Sequence, residues 1–100
     1  MEDDRIAAVA RALAHPARVR ILRLLAAQDA CRGAEIFAGL PLAQSTISQH
    51  LAVLKKAGLM RATPRGTGMV YCIVPDGLAA LACALESLVA EYPECDGEEC

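Results

Sequence analysis

Two sets of side chains in this chain of 100 residues could do chemistry: a run of short hydrogen-bonding groups and a set of five cysteines. The hydrogen-bonding run spans residues 44–50, where one apolar residue, Ile47, interrupts six polar ones. The polar members are Gln44, Ser45, Thr46, Ser48, Gln49 and His50. Side chains of this size can reach base edges and phosphate oxygens without filling the major groove. The run therefore predicts a surface that reads DNA.

The polar run belongs to an expected helix that ends at Gly58. Ile47, Leu51 and Leu54 recur at three- and four-residue spacing, which places them on one helix face opposite the polar run. Residues 34–39 form a shorter helical pattern just before it, and a turn separates the two. Helix, turn and helix in this order predict a helix-turn-helix.

Charge is unevenly distributed along the chain, although the net value is only −2. Residues 36–75 contain no acid, and their basic residues are Lys55, Lys56, Arg61 and Arg65. Residues 76–100 contain no Lys or Arg, and their acids are Asp76, Glu86, Glu91, Glu94, Asp96, Glu98 and Glu99. The middle of the chain can face a polyanion, whereas the C-terminal tail would be repelled by one. We expect the four basic residues to hold DNA phosphates.

Two helices are expected before this segment. The first covers about residues 3–14, and His15 and Pro16 end it because proline lacks an amide donor and restrains its predecessor. Pro16 then suits the first position of a second helix to about residue 27. Residues 28–33 are expected to form a loop.

A hairpin and a last helix are expected after Gly58. Residues 59–63 and 69–74 have strand patterns, and the glycine-rich segment 64–68 joins them as a turn. A hairpin directly after a recognition helix is a wing. A helix capped by Asp76 then extends to about residue 92. The predicted fold is mainly α with a small β-hairpin, a winged helix-turn-helix.

The last helix carries an apolar stripe that needs a partner surface. Its members are Leu78, Leu81, Ala82, Leu85, Leu88 and Val89. Packing within one chain would cover it, but a stripe this long on a terminal helix favours pairing with a second copy. We expect a homodimer through the first and last helices, because a two-fold dimer presents two recognition helices to two half-sites.

Length and composition limit the remaining possibilities. Residues 1–92 are expected to form one domain for DNA binding and dimerisation, and residues 93–100 an acidic, cysteine-containing tail. No apolar run approaches the roughly 18 residues of a membrane span, and the N-terminus lacks a signal-peptide pattern, so we expect a cytoplasmic protein without a membrane partner. The chain has no paired carboxylates, catalytic triad pattern or phosphate-binding loop, so we do not expect an enzyme.

The cysteines predict a site for a soft ion. Cys95 and Cys100 lie in the tail outside any apolar periodicity, and Gly97 between them would let the pair fold onto one ion. Cys72, on the second strand, is the candidate third ligand, with a small buried apolar role as the alternative. Cys83, in the middle of the last helix, competes for the third place, although packing is the commoner role there. Cys31 has no thiol neighbour in sequence and is expected to be structural.

The expected length of the last helix bears on which thiols can meet. About 16 residues span roughly 24 Å at 1.5 Å per residue, with Cys72 before the helix and Cys95 after it. The two cannot easily meet within one subunit. Antiparallel pairing of the last helices would instead bring the tail of one subunit to the wing base of the other. The expected site therefore spans the dimer.

The chain resembles the ArsR/SmtB family of small, homodimeric, winged-helix repressors. The resemblance covers residues 5–90 and rests on the segments HPARVRIL from His15, AEIFAGLPLAQSTISQHLAVLKKAGLM from Ala34 and the wing that contains Tyr71 and Cys72. It implies double-stranded operator DNA as a partner and release by an inducer. It also implies trivalent arsenic or antimony, As(III) or Sb(III), as the inducer that the thiols would bind.

The chain departs from two ligand patterns of this family. Arsenic-sensing members often carry a Cys-X-Cys pair before the recognition helix, where this chain has Cys31 alone. Zinc-sensing members often carry Asp and His ligands on the last helix, where this chain has no His. The alternatives left open are sensing of Cd(II), Pb(II) or Zn(II), sensing of thiol oxidation or persulfide, and a metal-sequestering or protein-interaction module that does not bind DNA.

Overall fold

The computed structural model describes residues 2–28 and 31–91, without the side chain of Cys31. Within these residues the chain forms five helices and three short strands. In chain order they are α1 (Glu2–Ala12), α2 (Pro16–Ala26), β1 (Cys31–Arg32), α3 (Gly33–Ala38), α4 (Gln44–Lys56), β2 (Met60–Arg65), β3 (Gly68–Ile73) and α5 (Asp76–Ala90). The predicted winged helix-turn-helix is confirmed. The tail with Cys95 and Cys100 lies outside the described residues.

The sheet has one more strand than the sequence predicts. Its order is β1-β3-β2, and both pairings are antiparallel. The prediction of a loop over residues 28–33 was wrong at its end, because Cys31 and Arg32 pair with Tyr71 and Val70 of β3. Two residues carry no usable alternation of apolar and polar side chains, so a strand this short leaves no periodic signal. The added strand joins the start of α3 to the wing.

The core holds the helix-turn-helix in place. Its fully buried side chains are Ile21, Ile36, Ile47, Leu54 and Leu59. They come from α2, α3, α4 and the segment that follows α4, so the apolar face of α4 is covered by its own chain. Burying a side chain of this size is worth about 1.5–3 kcal/mol, which makes this cluster the main support for the orientation of α4.

Helix α5 begins differently from the prediction. Pro75 occupies the position before the helix and α5 has no side-chain cap, so the assignment of Asp76 as the capping residue was wrong. Asp76 is the first helical residue, where an acid is favoured by the helix dipole instead. The next residue, Gly77, is buried, and a methyl group there would lie 3.0 Å from Leu59 and 3.3 Å from Val9. The absence of a side chain at Gly77 lets α5 lie close to the core.

The apolar stripe of α5 is divided between covered and open parts. Leu78 and Leu81 are partly buried and pack against the core. Leu85, Leu88 and Val89 are 52%, 69% and 75% exposed; we call these three the open α5 face. Packing within the chain therefore explains only the first half of the stripe. Among the described helices, none is long and apolar enough to cross a membrane.

Candidate nucleic-acid interface

Helix α4 presents a polar face to solvent because its apolar face is packed against the core. Ile47 and Leu54 are 0% exposed and Leu51 is 5% exposed. On the opposite side, the exposed polar residues are Gln44, Ser45, Ser48 and Gln49; we call this set the reading face. Its amide and hydroxyl groups can both donate and accept hydrogen bonds, as contacts to base edges require.

The other two polar residues predicted for this face are less accessible. Thr46 and His50 are half-buried. The ring centroid of His50 lies 4.4 Å from that of His15, with the ring planes tilted by 51°. Burial lowers the pKa of His50 below 6.5, and His15 and Arg18 lower it further because both carry or can acquire positive charge. His50 is therefore engaged with α2 as well as placed beside the reading face.

Glycine determines how α4 ends. Gly58 has a φ of +78°, a conformation that strains other residues. The amide of Gly58 donates to the carbonyl of Lys55 at 3.0 Å, and the amide of Leu59 donates to that of Leu54 at 3.0 Å. This pair of bonds is the Schellman motif. It turns the chain directly into β2 and leaves Lys55 and Lys56 exposed in the last turn of α4.

The wing carries the remaining basic residues. Arg61 and Arg65 are exposed on β2, and Arg65 pairs with Gly68 at the tip, next to the turn that Gly66 makes with a φ of +63°. A hydrogen bond of 2.9 Å from the amide of Val74 to the carbonyl of Leu59 fixes the wing base to the end of α4. The four basic residues thus lie on the segment that extends from the last turn of α4 along β2 to the wing tip.

A hollow of about 200 Å³ separates α4 from the wing. Ser48, Ala52 and Lys55 line it from the helix, and Met69 and Tyr71 line it from β3. Met69 and Tyr71 were not among the predicted site residues, because their spacing indicated only a strand. Their position beside Ser48 and Lys55 makes them part of the same surface.

The described cysteines do not form a metal site by themselves. Cys72 is half-buried on β3, Cys83 is exposed on α5, and neither is in a disulfide. Among the described side chains, which exclude that of Cys31, no group of three or more His, Cys, Asp or Glu could hold a metal ion. The predicted ligands Cys95 and Cys100 lie outside the described residues. A three-thiol site would need a donor other than the two described thiols, Cys72 and Cys83.

Comparison with known proteins identifies this architecture. A family model for bacterial regulatory proteins of the ArsR family matches residues 15–62, from the start of α2 to the start of the wing. An HTH-type transcriptional regulator of Mycobacterium tuberculosis, Rv0081, is 38% identical over 80 residues, which cover 80% of this chain and 70% of that protein. The chain belongs to the ArsR family. This ArsR-family protein is therefore a DNA-binding transcriptional regulator, and regulators of this family are not enzymes.

Solved structures agree with the assignment. The homodimeric winged helix-turn-helix DNA-binding domain of a possible ArsR-family regulator from Mycobacterium bovis superposes with a TM-score of 0.69 at 32% identity, covering 92% of this chain and 87% of that one. A possible transcriptional regulator for arsenical resistance superposes with a TM-score of 0.70 at 34% identity, covering 84% of this chain and 95% of that one. Family membership also speaks against the alternative of a module that does not bind DNA.

Proposed function

We propose that this protein is a homodimeric repressor that leaves its operator when thiolates bind As(III) or Sb(III). The observation that carries the DNA-binding part is the reading face of α4, which is exposed while the opposite face of the same helix is fully buried. The side chains proposed to read bases are Gln44, Ser45, Thr46, Ser48, Gln49 and His50. Lys55, Lys56, Arg61 and Arg65 are proposed to hold phosphates, which position the protein without specifying sequence.

The dimer is supported by a groove between α1 and α5. The groove has a volume of about 510 Å³ and is mostly apolar, with Ile6, Leu81, Leu85 and Leu88 among its lining residues. It adjoins the open α5 face, so the same surface carries an apolar groove and exposed apolar side chains. A second copy would fill the groove with its own α5 and cover both at once. The domain from M. bovis has the same fold and is homodimeric, which supports a homodimer for this chain.

The inducer site is proposed to be shared between subunits. Cys72 lies three residues before Pro75, and α5 then extends for 15 residues, or about 22 Å. The two ends of α5 are therefore one helix length apart, and Cys72 precedes the first of them. Antiparallel α5 helices would bring Cys95 and Cys100 near Cys72 of the partner chain, with Cys83 as the competing third ligand. The likeness to a possible regulator for arsenical resistance supports a metalloid as the ligand.

The DNA-binding part is tested with a labelled duplex taken from directly upstream of the gene that encodes the chain. We expect the chain to bind this duplex, and an unlabelled scrambled duplex to be a poor competitor. The affinity should also fall with salt, because each neutralised phosphate contributes a slope of about −0.9 in log affinity against log salt. Equal affinity for both duplexes at every salt concentration would refute sequence-specific reading.

The inducer part is tested by titrating As(III) or Sb(III) into the complex. We expect release from DNA, and a coupling free energy of about 1–3 kcal/mol would change the affinity 5- to 150-fold. Cys95→Ser and Cys100→Ser should abolish release, whereas Cys31→Ser should not. Cd(II), Pb(II), Zn(II), peroxide and polysulfide form parallel arms, and release by one of them but not by metalloid would replace the proposed inducer. Unchanged release from the Cys95→Ser, Cys100→Ser double variant would show that the tail is not the site.

A further inference from the structure

His15 caps helix α2 with one specific nitrogen. It occupies the position before the helix in extended conformation, with φ −153° and ψ 128°. Its Nδ1 accepts a hydrogen bond of 3.1 Å from the amide of Ala17. A nitrogen that accepts a hydrogen bond carries no proton, so the capping ring is neutral, with its proton on Nε2. Protonation of Nδ1 would place its N–H group against the amide N–H of Ala17, and the hydrogen bond would be lost.

The same ring contacts the recognition helix. His15 and His50 have ring centroids 4.4 Å apart, so the start of α2 touches α4 at the residue that follows the reading face. The charged and titratable groups that act on His50 are His15 and Arg18, both contributed by the α2 segment. Among the described residues, Arg18 also has a buried Nε without a hydrogen-bond partner. No acid is among these groups, so His15 and Arg18 both oppose the addition of a proton to His50.

We propose that His15 is a positioning residue for DNA binding, whose neutral ring caps α2 and, through His50, holds α4 in the orientation that reads DNA. The inference rests on the proposed role of α4 and goes beyond it, because it assigns a function to a residue outside the reading surface. Protonation of the pair uncouples α4 from α2. The fraction of molecules with a correctly placed α4 then falls, and the apparent affinity for DNA falls by the same fraction.

The direction of the pH effect follows from His50. Its pKa is lowered in the folded chain, first by burial and then by His15 and Arg18. Between the lowered value and about 6.5, the unfolded chain therefore binds more protons than the folded one, so stability rises with pH in that window. As the pH falls through that window, protonation of His50 progressively destabilises the folded state. The chain has only two histidines, so the imidazole signal of His50 can be followed in this range with little overlap.

The first test uses the protein without DNA. Histidine ¹⁵N spectra should show one ring neutral with its proton on Nε2 at pH 7.5. His15→Asn keeps a side-chain acceptor at the cap but removes the ring. In this variant the only remaining histidine, His50, should titrate closer to 6.5, and the fall in Tm between pH 7.5 and 5.5 should shrink by several degrees. A proton on Nδ1 of His15, or an unchanged titration of His50, would overturn the proposal.

The second test measures affinity for the upstream duplex at pH 7.5 and 5.8 at constant ionic strength. The wild-type chain should bind severalfold more weakly at pH 5.8, because protonation lowers the fraction of molecules in which α4 is correctly placed. His15→Asn should show less than half of this pH dependence. Stronger binding at low pH would mean that an imidazolium contacts phosphate, and would refute the positioning role. If no specific DNA binding occurs at either pH, the proposed function fails, while the measurements without DNA still decide the coupling of His15 to His50.

Discussion

Helices α4 and α5 have similar lengths and both are amphipathic, but they differ in how their apolar faces are covered. In α4 the apolar residues Ile47 and Leu54 are completely buried by the same chain, and the polar side faces outward. In α5 the last apolar residues, Leu88 and Val89, are 69% and 75% exposed. The apolar face of α4 is therefore buried within one chain, and its polar face is free to bind DNA. The apolar face of α5 is only partly buried, which indicates that it binds another protein surface.

The largest expected effect concerns the covered face. Leu54→Ala removes a fully buried side chain, and deletions of this kind cost about 2–5 kcal/mol because they leave a cavity as well as losing apolar burial. The free energy of unfolding from urea titration checks this. Leu88→Ala is the matched substitution on α5. A similar loss for Leu88→Ala under conditions where the protein is monomeric would contradict the contrast between the two helices.

The next effect concerns the open α5 face. Leu88→Asp places a carboxylate in the proposed interface, and a hot-spot residue at its centre is worth about 2–4 kcal/mol of association free energy. Sedimentation velocity should show a monomer with unchanged far-UV circular dichroism. Glu86→Gln, an exposed change on the same helix, serves as the control and should stay dimeric. A Leu88→Asp chain that remains dimeric would show that α5 is not the interface.

A smaller effect is expected on the reading face. Gln49→Ala removes a side chain that can bond a base edge in two places, and such a contact contributes about 1–3 kcal/mol of discrimination. Lys56→Ala should instead weaken binding to all duplexes and reduce the salt slope by about 1. Affinities for the upstream and scrambled duplexes, each measured over a range of salt, separate the two variants. Loss of stability in Gln49→Ala would mean that the face is structural.

The smallest effect concerns the turn that joins α4 to the wing. Gly58→Ala forces a side chain into a left-handed conformation, with nothing within 4 Å to obstruct it sterically. The expected cost is about 1–2 kcal/mol, from the backbone conformation alone. Thermal unfolding measures it, with Gly68→Ala, which also has open space and no positive φ, as the comparison. Equal stability of the two variants would show that the left-handed conformation at residue 58 does not disfavour alanine.

Much of the fold follows from patterns within single elements. The spacing of Ile47, Leu51 and Leu54 predicts α4, and Gly58 predicts its end; both are confirmed. Strand β1 could not be predicted, because two residues have no period and pair only with a distant part of the chain. The contact of His15 with His50 was also missed as a pair, since it depends on how α2 and α4 pack. That the last half of α5 is open also required the structure, because sequence shows a stripe but not what covers it.

The central claim is that α4, whose apolar face is buried within one chain, reads DNA. Helix α5, whose apolar face is partly exposed in one chain, joins two copies of the protein. Sedimentation equilibrium of the protein bound to the upstream duplex, with absorbance followed separately for protein and DNA, tests it most directly. We predict two chains per duplex for the wild-type protein and much weaker binding by Leu88→Asp at the same protein concentration. One chain per duplex, or equal affinity of the monomeric variant, would contradict the account.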